Sequence, residues 1–225
     1  MSGPYSISVI MPTYNAGNTI AESLASVWRQ TYQPAEVIVI DDGSTDGTAA
    51  LLAGFDDRIR YEWQANAGPS AARNRGLALA AGELIAFLDA DDIWLPQSLE
   101  MLVAPLVADP AVSIVRGRIR DMWPPLSGAD DYVLGEPVGS FNLGSAVYRR
   151  EVFTTLGAFD AGMRTGEDID FWVRATERSV IRTIDDVTLL YRRKLVDRID
   201  ARRTHFANLA RMLKHSIERT RGRRP

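Results

Sequence analysis

Apolar residues in the first half of the chain follow two rhythms that take turns. Continuous apolar or β-branched runs occupy Ile7–Met11, Val37–Ile40 and Leu84–Leu88, and Ile59–Trp63 also reads as a strand. Runs this short, bounded by turn residues, read as buried strands. Between them, Thr19–Gln30 carries Ile20, Leu24, Val27 and Trp28 at helical spacing. Thr45–Leu52 reads as a helix capped by Ser44 or Thr45, and Pro69–Ala81 as an Ala-rich helix ended by Gly82. This βαβα alternation predicts an α/β domain with a mostly parallel central sheet covered by helices on both faces.

The second half is less regular. Pro96–Ala108 reads as a helix, Val112–Arg120 as a strand, and Asp121–Ser140, rich in Pro, Gly and Asp, as a loop. A short strand at Ser145–Tyr148, a helix at Ile169–Thr176 and a last strand at Val187–Tyr191 follow. Val196–Thr220 has helical spacing at Ile199, Phe206, Leu209, Met212, Leu213 and Ile217. No repeat or linker divides the chain. One domain over residues 1–191 is therefore expected, followed by a basic helical tail over 192–225.

Composition narrows the chemistry. The 225 residues include no cysteine and two histidines, His205 and His215. Thiolate metal sites, disulfides and cysteine nucleophiles are excluded, and a metal would have to be a hard, oxygen-liganded ion. No run reaches the roughly 18 apolar residues of a membrane span, and Met1–Tyr5 has no leader character. A cytoplasmic protein is expected. From Arg192 onward 12 Lys and Arg face three acidic residues, +9, which leaves −12 on the preceding residues of a chain whose net charge is −3. A basic amphipathic tail is a solvated helix packed on the domain or a weak, salt-sensitive contact to the inner face of a membrane.

Ligands of open parallel sheets bind beyond the carboxyl ends of the strands, and polar residues gather there. The four strands lead into Pro12-Thr13-Tyr14-Asn15, Asp41-Asp42-Gly43-Ser44, Asn66-Ala67-Gly68 and Asp89-Ala90-Asp91-Asp92. Alone, Asp89-Ala90-Asp91 is as well explained by an acidic turn. At the tip of a buried strand, two carboxylates one residue apart repel unless a cation lies between them. Asp42 suits a base N–H or ribose hydroxyls, and Tyr14 suits stacking on a base. Gly68-Pro69 opens a helix with free N–H groups, from which Arg73 reaches toward a nucleotide. Gly166-Glu167-Asp168 starts a late helix, where a carboxylate serves as a cap or as a general base.

The ordered set resembles the family-2 inverting glycosyltransferases. It comprises Ser8–Asn15, Asp41–Asp46, Asn66–Gly76, Gly82–Asp92 and Gly166-Glu167-Asp168, matching in order and spacing from Ile7 to about Tyr191. The resemblance implies a single glycosyltransferase-A domain. It implies Pro12, Tyr14, Asp42, Arg73 and Asp89 at the donor nucleotide, with Asp91 and Asp89 at Mn2+ or Mg2+. Asp168 is the implied catalytic base, with its neighbour Glu167 an implied acceptor contact; outside the resemblance, Trp123 suits stacking on an acceptor sugar or anchoring its loop, and Lys194 suits a diphosphate contact. The implied reaction moves one sugar from a nucleotide-diphospho-sugar, most often a UDP-sugar, to a saccharide or lipid-linked saccharide. The setting would be glycan or cell-surface polysaccharide biosynthesis.

The sequence departs from the family after the last strand. Tyr191-Arg192-Arg193-Lys194 has no histidine to complete a metal shell, and Lys194 suits direct pairing with diphosphate. The Gln-x-x-Arg-Trp motif of processive synthases is absent. The alternative is a catalytically weak nucleotide-sugar-binding protein of the same fold. A nucleic-acid protein does not explain the acidic strand ends, and no Gly-x-Gly-x-x-Gly follows the first strand as a dinucleotide dehydrogenase would require.

Overall fold

The computed structural model describes residues 3–55, 57–125, 131–163 and 165–194. The first four strands are β1 (Ile7–Thr13), β2 (Glu36–Asp41), β3 (Arg60–Trp63) and β4 (Leu84–Phe87), with α1 (Ile20–Trp28), α2 (Thr48–Leu52) and α3 (Pro69–Leu79) between them. Then come β5 (Ile93–Trp94), α4 (Ser98–Ala108), β6 (Ile114–Trp123), β7 (Val133–Val138), β8 (Ala146–Arg149), α5 (Glu151–Leu156), α6 (Glu167–Arg178) and β9 (Ile181–Arg192). Among the described residues no helix is long and apolar enough to cross a membrane. The expected helix at Val196–Thr220 lies outside the described residues.

The sheet runs β3-β2-β1-β4-β8-β6-β9-β5, with β7 added beside β6. β1 pairs in parallel with β2 and β4, and β2 with β3. β8 enters antiparallel between β4 and β6, while β6 and β9 are parallel. The strand alternation of β1 decides which face each residue serves. Ile7, Val9 and Met11 join α1 and α4 in one core, and Ile10 joins α3, α5 and α6 in the other. Burial of both faces explains why the first strands read as continuous apolar runs. In the second core Phe87, Tyr148, Phe153, Phe159, Phe171 and Trp172 form a contiguous aromatic cluster. Each such side chain contributes roughly 1.5–3 kcal/mol by leaving water.

Small residues set how closely α3 approaches the sheet. A Cβ at Gly76 would lie 2.3 Å from the Ile10 side chain, so only glycine fits. The helix ends at Ala80 rather than at Gly82. Gly82 instead lies against the Ser8 backbone, where a Cβ would sit 2.5 Å from the nitrogen. The expected cap of α2 is also corrected. The helix begins at Thr48, whose N–H donates to Asp46 Oδ1 at 2.9 Å, and Ser44 accepts from the Asn15 N–H.

Asp121–Ser140 is not simply a loop. β6 continues to Trp123, and Val133–Val138 returns as β7 antiparallel to it, with a register shift between Arg120 and Met122. Gly135 and Pro137 disguised this strand. β5 and α5 also went unread, being two and six residues long. β9 begins six residues before the expected start, in the exposed segment Ile181–Asp186.

Candidate active site

The strand ends open onto one cleft of about 770 Å3. Pro12, Tyr14, Asp42, Arg73, Asp89, Asp91, Glu167 and Lys194 all line it. Residues that stand up to 182 positions apart in the sequence thus share one wall. Trp123 and Asp168 are not among the lining residues. Trp123 ends β6 with Arg193 over its ring at 5.8 Å. Asp168 is in the first turn of α6, beside Glu167.

Asp41 and Asp42 build the base of the site. Asp41, fully buried, accepts from the Ser44 N–H at 2.8 Å and the Tyr61 hydroxyl at 2.9 Å. Burial, then this carboxylate, pushes the Tyr61 phenol up to about 12. Asp42 accepts from Gln64 at 2.7 Å and from the Ala67 and Gly68 N–H groups at 2.8 Å each. Its carboxylate therefore shapes the 66–68 loop that delivers α3. Tyr14 stands 54% exposed at the rim of the cleft.

Arg73 is the central connection. It is 5% exposed, and its two terminal nitrogens donate to Asp89 Oδ1 and Glu167 Oε1 at 2.7 Å each. Burial opposes its charge, and the two carboxylates more than offset that, so its pKa lies above its ordinary value. The Arg73 Nε is buried and has no hydrogen-bond partner among the described residues. The sequence offered Arg73 as a nucleotide contact. In the fold it ties the end of β4 to the start of α6, reaching Glu167 across 94 residues of sequence from its own position.

The acidic turn after β4 divides its labour. Asp92 is fully buried and accepts from the Arg192 N–H at 2.9 Å and from Asn142 at 3.4 Å. Burial, then the charges of Asp89 and Asp91, hold its carboxyl well above the usual range. Burial and Asp89 also raise Asp91, while Lys194 and Arg192 pull it down. No group of three His, Cys, Asp or Glu side chains is arranged to hold a metal among the described residues. An all-protein cage is therefore not what this turn offers. Two carboxylates facing a cleft fit a hard divalent ion that keeps waters and takes phosphate oxygens from its ligand.

The end of β9 closes the wall, and sequence reading undervalued it. Tyr191, Arg192 and Lys194 line the cleft, whereas Arg193 turns to Asp121 at 3.0 Å. Arg192 Nε donates to the Asp91 carbonyl at 2.7 Å, and its terminal nitrogens reach Tyr132 and Glu22. It pins the acidic turn to α1 and to the residue preceding β7. Its place in the basic run Arg192-Arg193-Lys194, directly after the last strand's apolar residues, was the signal available for it.

α6 supplies the titrating group. Gly166 precedes it at φ 80°, a left-handed conformation suited to glycine, and turns the chain so that Glu167 faces Arg73. Burial, then the charge of Glu167, pushes Asp168 up to about 6, against the Ile169 N–H at 2.7 Å and Arg73. A carboxylate with this value takes up a proton near neutral pH.

The comparisons agree with this architecture. The TarS protein of S. aureus, solved with UDP-GlcNAc, superposes with a TM-score of 0.69 at 22% identity, over 84% of this chain and 59% of that one. The mannosyltransferase PcManGT of Pyrobaculum calidifontis, solved with GDP-Man and Mn2+, gives 0.63 at 24% identity, over 82% and 56%. These likenesses establish the glycosyltransferase-A fold. WfgD of Escherichia coli is named a UDP-Glc:alpha-D-GlcNAc-diphosphoundecaprenol beta-1,3-glucosyltransferase. It is 45% identical over 105 residues, 46% of this chain and 42% of that protein. GlyG of Streptococcus pneumoniae, a glycosyltransferase, is 41% identical over 100 residues, 43% and 33% of the two chains. The chain spans less than half the length of these curated relatives. The sequence profile described as Glycosyl transferase family 2 matches residues 8–166, and the chain belongs to that family.

Proposed function

We propose that the chain transfers one sugar, with inversion, from a nucleotide-diphospho-sugar to an acceptor hydroxyl. The observation that carries this reading is the Asp89–Arg73–Glu167 bridge, which joins the acidic turn to the helix that holds Asp168. Tyr14 stacks on the base, and Asp42 holds the 66–68 loop against the nucleotide. Asp91 and Asp89 would hold Mn2+ or Mg2+, which supplies positive charge to the departing diphosphate. Lys194 adds charge on the same side. Asp168 accepts the proton as the acceptor oxygen bonds to the anomeric carbon and the bond to diphosphate breaks on the opposite face. Much of the rate then comes from holding the two reactants in line.

The name of the E. coli relative, 45% identical over its matched stretch, favours a UDP-sugar and a lipid-linked saccharide for this chain as well. We divide the chain accordingly into a donor half of about 1–95, an acceptor half of about 96–191 and a basic tail over 192–225. The test is release of nucleoside diphosphate from a panel of UDP- and GDP-sugars with Mn2+. Slow hydrolysis without acceptor is expected for one donor. A protein that binds UDP yet hydrolyses none of the panel, with or without saccharide, would be a binder and not a transferase.

A further inference from the structure

Beyond the donor cleft, the α6 face of the sheet carries a cluster that the donor chemistry leaves unused. Trp172 lies four residues after Asp168 on α6, so the two share a helix face. Phe141, 43% exposed, sits 6.4 Å from the Trp172 ring. The Arg116 guanidinium lies 5.4 Å from the Trp172 centroid and 5.9 Å from that of Phe141. Trp172 is fully buried, and among the described residues its Nε1 has no hydrogen-bond partner. Arg116 Nε donates to Thr183 at 3.0 Å, and among the described residues Arg116 has no acidic partner. Arg120, two residues further along β6, likewise has none, whereas Arg118 between them pairs with Asp185 at 2.6 Å. Alternation places Arg116 and Arg120 on the same face. Asp168 and Arg116 both act on the buried Tyr148 hydroxyl, with opposite effects, so they share its surroundings.

An exposed aromatic ring, an uncompensated guanidinium and a base one helical turn away are the parts of a site for a charged sugar. We propose that Phe141 and Arg116, backed by Trp172, form an acceptor subsite for a saccharide that bears a phosphate. The sugar ring rests on Phe141, and the two terminal nitrogens of Arg116 pair with phosphate oxygens. Guanidinium presents parallel N–H donors that match a phosphate. Arg120 places a second positive charge on that face, which favours a phosphate ester or diphosphate over a single carboxylate. Trp172 and the aromatic cluster behind it fix the platform, and reaction at Asp168 then occurs on the sugar's far side. The proposal deepens the transfer reading and rests on it.

The test uses the full chain saturated with UDP and Mn2+, so that a failure of the donor reading shows first as absent UDP binding. α-Glucose 1-phosphate, methyl α-glucoside and glucuronic acid are then compared by ligand-detected NMR. The sugar phosphate is expected to bind at least about tenfold tighter than the neutral glycoside, a difference of about 1.4 kcal/mol. Arg116→Gln should erase that preference while leaving UDP affinity and melting temperature unchanged. Phe141→Ala should weaken both glucosides alike. Equal binding of phosphate and neutral sugars, a preference retained in Arg116→Gln, or a preference for glucuronic acid overturns the proposal. So does inorganic phosphate binding as tightly as the sugar phosphate, which would make the site one for the free ion. Phosphatidylglycerol vesicles form a last arm. If they bind the wild type and lose that binding in Arg116→Gln, the cation serves a lipid surface, and the saccharide assignment fails.

Discussion

Asp168 gives a sharp physical prediction because its burial has a thermodynamic consequence. Its carboxyl is pushed from 3.8 up to about 6, first by burial and then by Glu167. The folded protein therefore holds a proton there that the unfolded chain has already lost between those two values. The sign follows directly: this residue costs almost nothing below about pH 4, its cost grows from there to about pH 6, and it is constant above that. At roughly 1.4 kcal/mol per unit, the cost at pH 8 reaches at most about 3 kcal/mol. Asp168→Asn keeps an acceptor for the Ile169 N–H at 2.7 Å but cannot ionise. The variant should be more stable than the wild type by about 1–3 kcal/mol at pH 8, with the gain roughly halved at pH 5 and vanishing below about pH 4. Urea titrations at pH 4, 5, 6 and 8 read this directly. In the same variant, transfer should fall roughly 10²–10⁴-fold, the usual contribution of a general base. A variant destabilised across the range, or one whose gain is the same at pH 5 and pH 8, refutes the reasoning.

Other outcomes follow from the same geometry. Arg73→Ala leaves Asp89 and Glu167 without their buried partner and should cost about 3–5 kcal/mol, read as a drop in melting temperature. Arg73→Lys should rescue little, since one ammonium cannot hold both carboxylates in a planar fork. Gly76→Ala drives a methyl into Ile10 and should cost about 1–3 kcal/mol while leaving the cleft residues unchanged. Lys194→Ala should weaken UDP binding by roughly tenfold, about 1.5 kcal/mol, and flatten its salt dependence. An affinity that does not move would remove Lys194 from the diphosphate site.

The parts legible in the sequence were those governed by local pattern. β1, β2 and β4 are buried on both faces and announce themselves as apolar runs, and the residues that follow them are the cleft. β7 was hidden because Gly135 and Pro137 break its alternation, and because its pairing with β6 alone supplies no long apolar signal. β5 exists only through its two pairings with β9. Arg73 shows a deeper limit. Its type and position placed it on the cleft wall, but its partner Glu167 lies 94 residues later, and no local pattern reveals a contact of that range. Asp42 likewise stands at the expected strand tip, yet its hydrogen bonds go to loop N–H groups that only the fold brings near. Arg192 was overlooked because its three side-chain partners come from three separate segments.

The most direct test of the donor site is calorimetric titration of UDP into the wild type and Asp91→Asn, each with Mn2+ and with EDTA. Saturable binding to the wild type with Mn2+ is expected, weakened at least about tenfold, or about 1.4 kcal/mol, by EDTA or by the substitution. Absence of binding, or one affinity under all four conditions, contradicts a metal-assisted nucleotide site at Asp91.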